Sequence, residues 1–522
     1  MTANTTVPSR TTSQVPVGVA TAIALSLLVA AIYALTRDPR LTLGVACAPL
    51  GLLLCLRFPF HITALFVVFS FYRVHDAFQS LQPLKIPLAL GALMVTSLVL
   101  HVFVLRSVKP FLSAELSRLL VLFVLVLVGA VFAQDRGIAW DFITSTYAKT
   151  LLMTFALAWL IRSEADFKFV VRALVVGGLL IASVAIYNKL NGIGLVEGTR
   201  VTIGLIPTIP GQEDAVVQTS SLADPNDLAL VLLFPLAVAI SLVAQRASRF
   251  DMLLGAITTV ATLLAIIFTQ SRGGLFGVLA VLGVIGLRYV KSRAVLAALA
   301  LVAAICLAAA MGLGQRVSGG AAEIEKSGVD ESAMGRIYAW QTAINMAVRR
   351  PLTGVGIDNF ASSYFVFTDH WQKENKAVHS TWFEVLGEMG LPGLFVFLML
   401  VAATFRTARQ ALRRLLDSGA SPLMQAVALS LVAGLAGFCA AGTFLTQAFT
   451  LQLYVMIGLT AGLGRYVART VPAPPALAPS DTAKAAAARP VMRGLYAPSS
   501  RERPDGPASA QVAHTPARRD TL

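Results

Sequence analysis

The sequence predicts an all-α polytopic membrane protein with about 12–14 transmembrane helices and a large outer (periplasmic) loop at about 315–379. Three observations carry that expectation. Only 13% of the 522 residues are charged, where a soluble chain of this size carries roughly 25%. Mean hydropathy is +0.74. The apolar residues fall in runs of ~16–25, near the ~20 residues a helix needs to cross ~30 Å of hydrocarbon. A spanning β-barrel would show short alternating segments instead.

In chain order, residues 1–15 are polar, rich in Thr and Ser, and expected to be disordered. Spans are expected at 16–36, 41–56, 58–72, 86–105, 117–133, 148–161, 169–187, 226–244, 252–269, 274–290, 294–314, 380–404, 422–441 and 447–465. The first three are the weakest: Asp38-Pro39 is a clear break, but only Arg57 separates the second from the third. The run 16–36 is long for a signal-peptide core and has no convincing cleavage site, so it reads as a retained span. These runs divide the chain into an N-terminal membrane region, 16–225, with an outer loop at 188–224, and a second membrane region, 226–465, containing the loop 315–379. The Pro/Ala/Arg-rich tail 466–522 cannot bury a core and reads as disordered and cytoplasmic.

Charge sets the orientation. The formal net charge is +15, but its cations sit in short loops between apolar runs, which argues for positive-inside topology and against nucleic-acid binding. Arg246, Arg249, Arg288, Lys291, Arg293, Arg406, Arg409, Arg413 and Arg414 mark cytoplasmic loops, opposed only by Asp251 and Asp417. The loops 188–224 and 315–378 carry no positive excess and face outward. Both termini then fall inside, although Arg37 and Arg40 lie against that assignment. Cys47, Cys55, Cys306 and Cys439 all lie in apolar runs, where thiols behave as small hydrophobes. No disulfide framework, metal site or cofactor is implied.

Three polar stretches stand out. Thr-Gln-Ser-Arg-Gly-Gly (269–274) is an outer turn that places Arg272 at the membrane boundary. An ionisable group at that depth is costly and usually faces a cavity; its fork suits a phosphate or carboxylate, and Gly273 and Gly274 leave the backbone open beside it. The alternative is a snorkelling arginine. Ala-Asp-Pro-Asn-Asp (223–227) reads as a helix start, with Asp224 before Pro225 and Asp227 in the first turn. Residues 332–346 form an amphipathic helix with Arg336 near its beginning and Ile337, Trp340, Ala343 and Ile344 on one face, suited to lying on the outer leaflet. Arg349-Arg350-Pro351 ends it, and Gly354-Val355-Gly356 turns the chain; a lone Gly-x-Gly away from a parallel strand is not a nucleotide loop.

The last stretch, His379–Gly393, is where the polar loop meets an apolar run. Thr381-x-x-Glu384 fits a capping box, which favours a helix-start role for Glu384; the alternative is that it orients His379. His379 then sits near the positive end of a helix, which disfavours the imidazolium and leaves a neutral base. Gly387, Gly390 and Gly393 are expected to permit close helix packing.

These residues resemble the O-antigen ligase and polymerase superfamily of bacterial envelope proteins over roughly 220–465, and the N-terminal part loosely resembles the extension of exosortase-associated O-glycosylation ligases. The ligase signature is His, then Asn/Ser/Gln, nine residues, Gly, two residues, then a small residue or Tyr. Here His379-Ser380, Gly390 and Gly393 meet it. The Ser-Arg-Gly-Gly turn at Arg272 fits too, as do Arg336-x-x-x-Trp340 and Pro-Leu-x-Gly-Val-Gly-x-x-Asn-Phe (351–360). The resemblance implies a glycosyltransferase of polysaccharide biosynthesis in the bacterial inner membrane. It would move a glycan from an undecaprenyl-diphosphate carrier to a hydroxyl of a glycan, lipid or protein acceptor, on the periplasmic face and without metal. His379 would be the base; Arg272, Arg336 and, more weakly, Arg200 would bind the diphosphate. Ser380, Glu384, Gly390 and Gly393 would support the site. A polymerase extending lipid-linked repeats is the alternative within the fold. A polysaccharide flippase is the alternative outside it, but that would place charges deep in several spans and show an internal repeat, and the sequence has neither.

Overall fold

In a membrane every backbone N–H and C=O must find its partner within the chain, and helices do this most locally. The computed structural model describes residues 14–37, 39–74, 81, 84–196, 198–203, 224–310, 331–371 and 375–472, and they are overwhelmingly helical. The expected disorder at 1–13 and 473–522, and the loop residues 204–223, 311–330 and 372–374, lie outside the described residues. The expected tail begins late: its first residues, 466–470, finish a helix.

The first half comprises α1 (Gln14–Thr36), α2 (Pro39–Arg57), α3 (Pro59–Phe71) and α4 (Ile86–Val99), which ends in a π-helical turn at Leu100–Val104. It continues with α5 (Ala114–Val131) and α6 (Arg136–Phe142), joined through a π-helical turn at Ile143–Tyr147 to α7 (Ala148–Leu160), and closes with α8 (Glu164–Leu190). A small antiparallel hairpin, β1 (Leu195–Val196) and β2 (Arg200–Val201), follows. The second half comprises α9 (Pro225–Ala244), α10 (Arg249–Thr269), α11 (Arg272–Tyr289), α12 (Arg293–Ala310), α13 (Glu331–Arg349), α14 (Phe360–Phe367), α15 (Thr381–Asp417), α16 (Pro422–Gly442) and α17 (Leu451–Thr470).

Among the described residues eight helices are long and apolar enough to span: α4 with its π turn, α5, α8, α9, α10, α11, α15 and α16. A ninth is reached if the α2–α3 pair counts as one span bent by 105°. That is fewer than the apolar runs imply, for identifiable reasons. The runs 41–56 and 58–72 turn a corner at Pro59, so they are not two successive crossings. The run 148–161 is the 13-residue α7. Within α1 and α12, the apolar stretches Ser26–Thr36 and Arg293–Ile305 are shorter than a span. The chain is a multi-pass, all-α membrane protein.

The bundle is built around α9 and α16, each 78% buried over its spanning window against 28–50% for the others. Lipid is as apolar as leucine, so close backbone approach rather than hydrophobicity holds such helices together. Glycines on four neighbours press on α9. A Cβ would fall 2.5 Å from Pro235 Cβ at Gly178, 2.7 Å from Ala239 O at Gly255, 2.2 Å from Leu233 Cδ1 at Gly277 and 2.6 Å from Phe234 Cδ2 at Gly434. Polar pins fix the register. Tyr72 Oη donates to Leu174 O (2.5 Å), and Arg172 donates twice to Asp251, at 2.7 and 3.1 Å.

Helix direction separates the two ends. One end gathers Asp135, Arg200, Asp224, Gln270, Asn359, His379 and Thr446; the other gathers Glu115, Glu164, Asp251 and Ser421.

Candidate functional site

The polar end is organised by a helix break. α15 is two helices, Thr381–Met389 and a long span after it, divided at Gly390, whose φ of 66° and ψ of −165° are not helical. Gly390 is required: a Cβ there would lie 2.4 Å from Pro351 O. Leu391 N donates to that same oxygen (2.9 Å). The expected span 380–404 therefore starts too early; its first turns are a separate helix beneath the 351–360 turn.

The 351–360 turn seals the break. Val355 N donates to Gly387 O (3.0 Å) and Gly356 N to Glu388 O (2.9 Å), satisfying carbonyls that a helix end leaves open. Gly354 (φ 61°) lies so close that a Cβ would sit 2.4 Å from Glu388 C. Glu388, buried, accepts from Asp358 N (2.9 Å) and Phe360 N (3.2 Å). The turn is tied in its own right to the first half: Gln134 N donates to Val355 O (2.8 Å), and Asp135 N to Asn359 Oδ1 (2.8 Å). Sequence reasoning passed over Glu388. Its signal was a second glutamate one helical turn after Glu384 in an otherwise apolar stretch.

The other face of Thr381–Met389 is wrapped by the loop after α16. Thr381 Oγ1 donates to Leu445 O (2.8 Å), Trp382 Nε1 to Thr443 Oγ1 (3.1 Å) and Ala448 N to Glu384 Oε2 (2.8 Å). The capping-box reading fails. Ser380, not Thr381, is the N-cap, and Glu384 does not reach back to it. The helix start is buried beneath this loop, so tertiary donors and acceptors take the side chains that a free helix end would use. Ser380 Oγ is buried and has no partner among the described residues. Gly387 packs against Phe360, Ala343 and Met346, as expected of a close-packing glycine. Gly390 breaks the helix instead, and at Gly393 a Cβ would meet Met389 Cβ at 2.2 Å.

His379 stands at the entrance, half-buried, with φ 47° and its backbone N–H on Thr446 Oγ1 (3.0 Å). Burial holds its pKa below the ordinary histidine value; the Arg336 charge pushes the same way and Asp224 opposes it. Arg336 comes from α13, whose Trp340 stacks on Phe383 at 5.3 Å and 14°. The α13 face that packs is Ala339, Ala343, Met346 and Ala347, while Ile337 and Ile344 point away from it, 47% and 44% exposed, so the single apolar face expected of this helix is divided in two. Small residues let α13 approach closely, and they carried little weight in an amphipathic count.

Arg272 is the first residue of α11, exposed, after Gln270 in left-handed conformation and Ser271, whose Oγ accepts from Gly274 N (3.1 Å). Gly273 and Gly274 do not leave open backbone beside it. They are buried, with a Cβ 3.4 Å from Ala441 O at Gly273 and 2.7 Å from Ala229 Cβ at Gly274. Arg200 on β2 reaches the same turn, its Nε 3.4 Å from Thr269 O. Asp224 and Pro225 start α9 as expected, with Asp224 Oδ1 accepting from Asn226 N (2.7 Å), while Asp227 accepts from Gln447 Nε2 (2.5 Å).

His379, Arg336 and Asp224 are thus near enough to feel one another, and Arg200 and Arg272 flank one turn. Both groups bear on the same segment, 441–446: Gly273 and Phe276 through Ala441 and Phe444, His379 through Thr446. Among the described residues no hydrogen bond joins His379 to Arg272 or Arg200.

This fold and this polar end define a multi-pass helical membrane protein that concentrates imidazole and guanidinium groups at one membrane boundary. Residues 257–398 match the family model described as O-antigen ligase, which supports the resemblance of that segment to O-antigen ligases and polymerases. The matched span runs from within α10, through Arg272, Arg336 and His379, to the first turns after Gly390. The match supports a ligase- or polymerase-like role in glycan processing at a membrane. No curated protein matches it.

Proposed function

We propose that the protein is a glycan ligase of the bacterial inner membrane. It transfers a glycan from an undecaprenyl-diphosphate carrier to an acceptor hydroxyl at the periplasmic face. The observation that carries the reading is the setting of His379: burial and the Arg336 charge favour its neutral form, a base poised where polar loop meets membrane.

In the proposed step, His379 takes the proton of the acceptor hydroxyl as its oxygen attacks the anomeric carbon. The bond from that carbon to the diphosphate oxygen breaks, and the lipid diphosphate leaves with the electron pair. Arg336, Arg272 and Arg200 hold the developing negative charge, as fixed cations at a departing phosphate do. A single displacement gives a product of inverted configuration. Glu384 and Glu388 serve by fixing the short helix that presents His379, through their bonds to Ala448 and to the 358–360 turn.

The test is incubation of purified protein with a lipid-diphosphate-linked glycan and candidate acceptors, scoring which acceptor gains mass. His379→Ala should insert normally and lose about 10²-fold or more of the transfer rate. Arg272→Lys should also be poor, because a point charge does not replace the planar fork. Full activity of His379→Ala would end the base assignment, and parental activity of Arg272→Lys would return that residue to snorkelling. Growth of the donor glycan itself, in place of acceptor glycosylation, would make the enzyme a polymerase.

A further inference from the structure

At the end of the bundle opposite His379, a recess of about 390 Å³ opens between the start of α5 and the last turns of α15 and α17. The direction of all three helices places it there: α5 leads toward Asp135, and α15 and α17 lead away from His379 and Ala448. None of its residues takes part in the site described above.

Its floor is Glu115, fully buried. One carboxylate oxygen, Oε2, accepts from Thr407 Oγ1 (3.0 Å); the other, Oε1, has no hydrogen-bond partner, nor does the neighbouring Ser113 Oγ. A buried carboxylate oxygen without a donor is costly, and the recess it lines is the place from which a donor can come. Two guanidinium groups line the same recess. Arg414 spends Nη2 on Val471 O and leaves Nε buried without a partner. Arg465 lies over the Phe111 ring at 4.3 Å. Neither arginine is within ion-pair distance of Glu115 among the described residues. The recess therefore separates an anion-seeking side from a cation-seeking side. At its rim Leu112 is 60% exposed, and Val121, Val124 and Val128 continue an apolar track along α5.

We propose that this recess holds the headgroup of a zwitterionic phospholipid, its phosphate on Arg414 and Arg465 and its primary ammonium on Glu115. Charge-assisted bonds to a guanidinium fork and to a carboxylate are the pairings those two headgroup charges seek. The α5 track gives the acyl chains an apolar path, which a free phosphate ion does not use. The bound lipid would bridge three helices that otherwise leave polar atoms unsatisfied between them.

The test is native mass spectrometry of the delipidated full chain, titrated separately with phosphatidylethanolamine, phosphatidylcholine and inorganic phosphate. The first two differ only in the methyl groups that replace the ammonium N–H donors. The parent should hold one phosphatidylethanolamine about tenfold more tightly than phosphatidylcholine, the ratio expected for one charge-assisted bond. Glu115→Gln should abolish that preference. Arg465→Gln, at a half-exposed position that tolerates change, should weaken both lipids. Equal binding of the two lipids by the parent overturns the ammonium assignment, and unchanged binding by Arg465→Gln overturns the phosphate assignment. Displacement of the lipid by millimolar inorganic phosphate would make the site one for a free anion and overturn the lipid reading.

Discussion

His379 shows how a single residue's chemistry is set by neighbours distant in sequence. Burial and Arg336 lower its pKa, and Asp224 raises it. Removing either charge should therefore move the acid limb of the pH–activity profile in opposite directions. With Arg336→Gln a cation that opposed protonation is gone, the pKa rises, and the limb moves to higher pH. With Asp224→Asn an anion that favoured protonation is gone, and the limb moves to lower pH. Initial rates across pH 5–8 check this, since the position of the limb is read independently of the lower rate expected of Arg336→Gln. A shift of the same sign in both would remove His379 as the titrating group. His379, Arg272 and Arg336 stand out in the sequence because each sits in a short motif where a polar stretch meets an apolar run. Glu384 was misread and Glu388 unread for one reason: their partners, Ala448 and the 358–360 turn, lie 64 and about 30 residues away, beyond the reach of a local rule.

At the scale of the element, the break at Gly390 separates what hydropathy joins. A moving average over 380–404 sees one apolar run; it cannot see a positive φ or a carbonyl 2.4 Å from an imagined Cβ. The same blindness turned the bent α2–α3 pair into two spans. A pair of substitutions isolates the effect. Gly390 and Gly419 both have positive φ, 66° and 63°, but nothing lies within 4 Å of a Cβ at Gly419. Gly419→Ala should cost only the left-handed backbone penalty, about 1–2 kcal/mol. Gly390→Ala adds the collision with Pro351 and should lower the thermal midpoint in detergent well beyond that control, with loss of transfer activity. Equal midpoints would mean that the break relaxes without consequence.

For the whole molecule, the matched segment 257–398 is not a self-sufficient body. α9 is enclosed partly by α8, α15 packs on α5, and α17 on α7. Arg172 of α8 holds Asp251 of α10, and Thr407 of α15 holds Glu115 of α5. The N-terminal spans, which carried no readable motif, thus have a structural task. A chain restricted to residues 225–472 should fail to give a monodisperse peak on size exclusion in detergent, and co-expression of residues 1–224 should restore it. The fold class was legible from composition alone, because hydrocarbon leaves a long chain few alternatives. Which helices touch was not, because the contacts rest on glycines such as Gly178 and Gly277, whose meaning depends on the partner facing them.

The seal between the 351–360 turn and Gly387–Leu391 has a kinetic consequence. The amide protons of Val355, Gly356 and Leu391 are all committed across that junction, to Gly387, Glu388 and Pro351. None can meet solvent deuterium unless turn and helix part company. In a hydrogen-exchange time course these three should label together and late, as one cooperative unit, although their stretch of sequence looks like an ordinary surface loop.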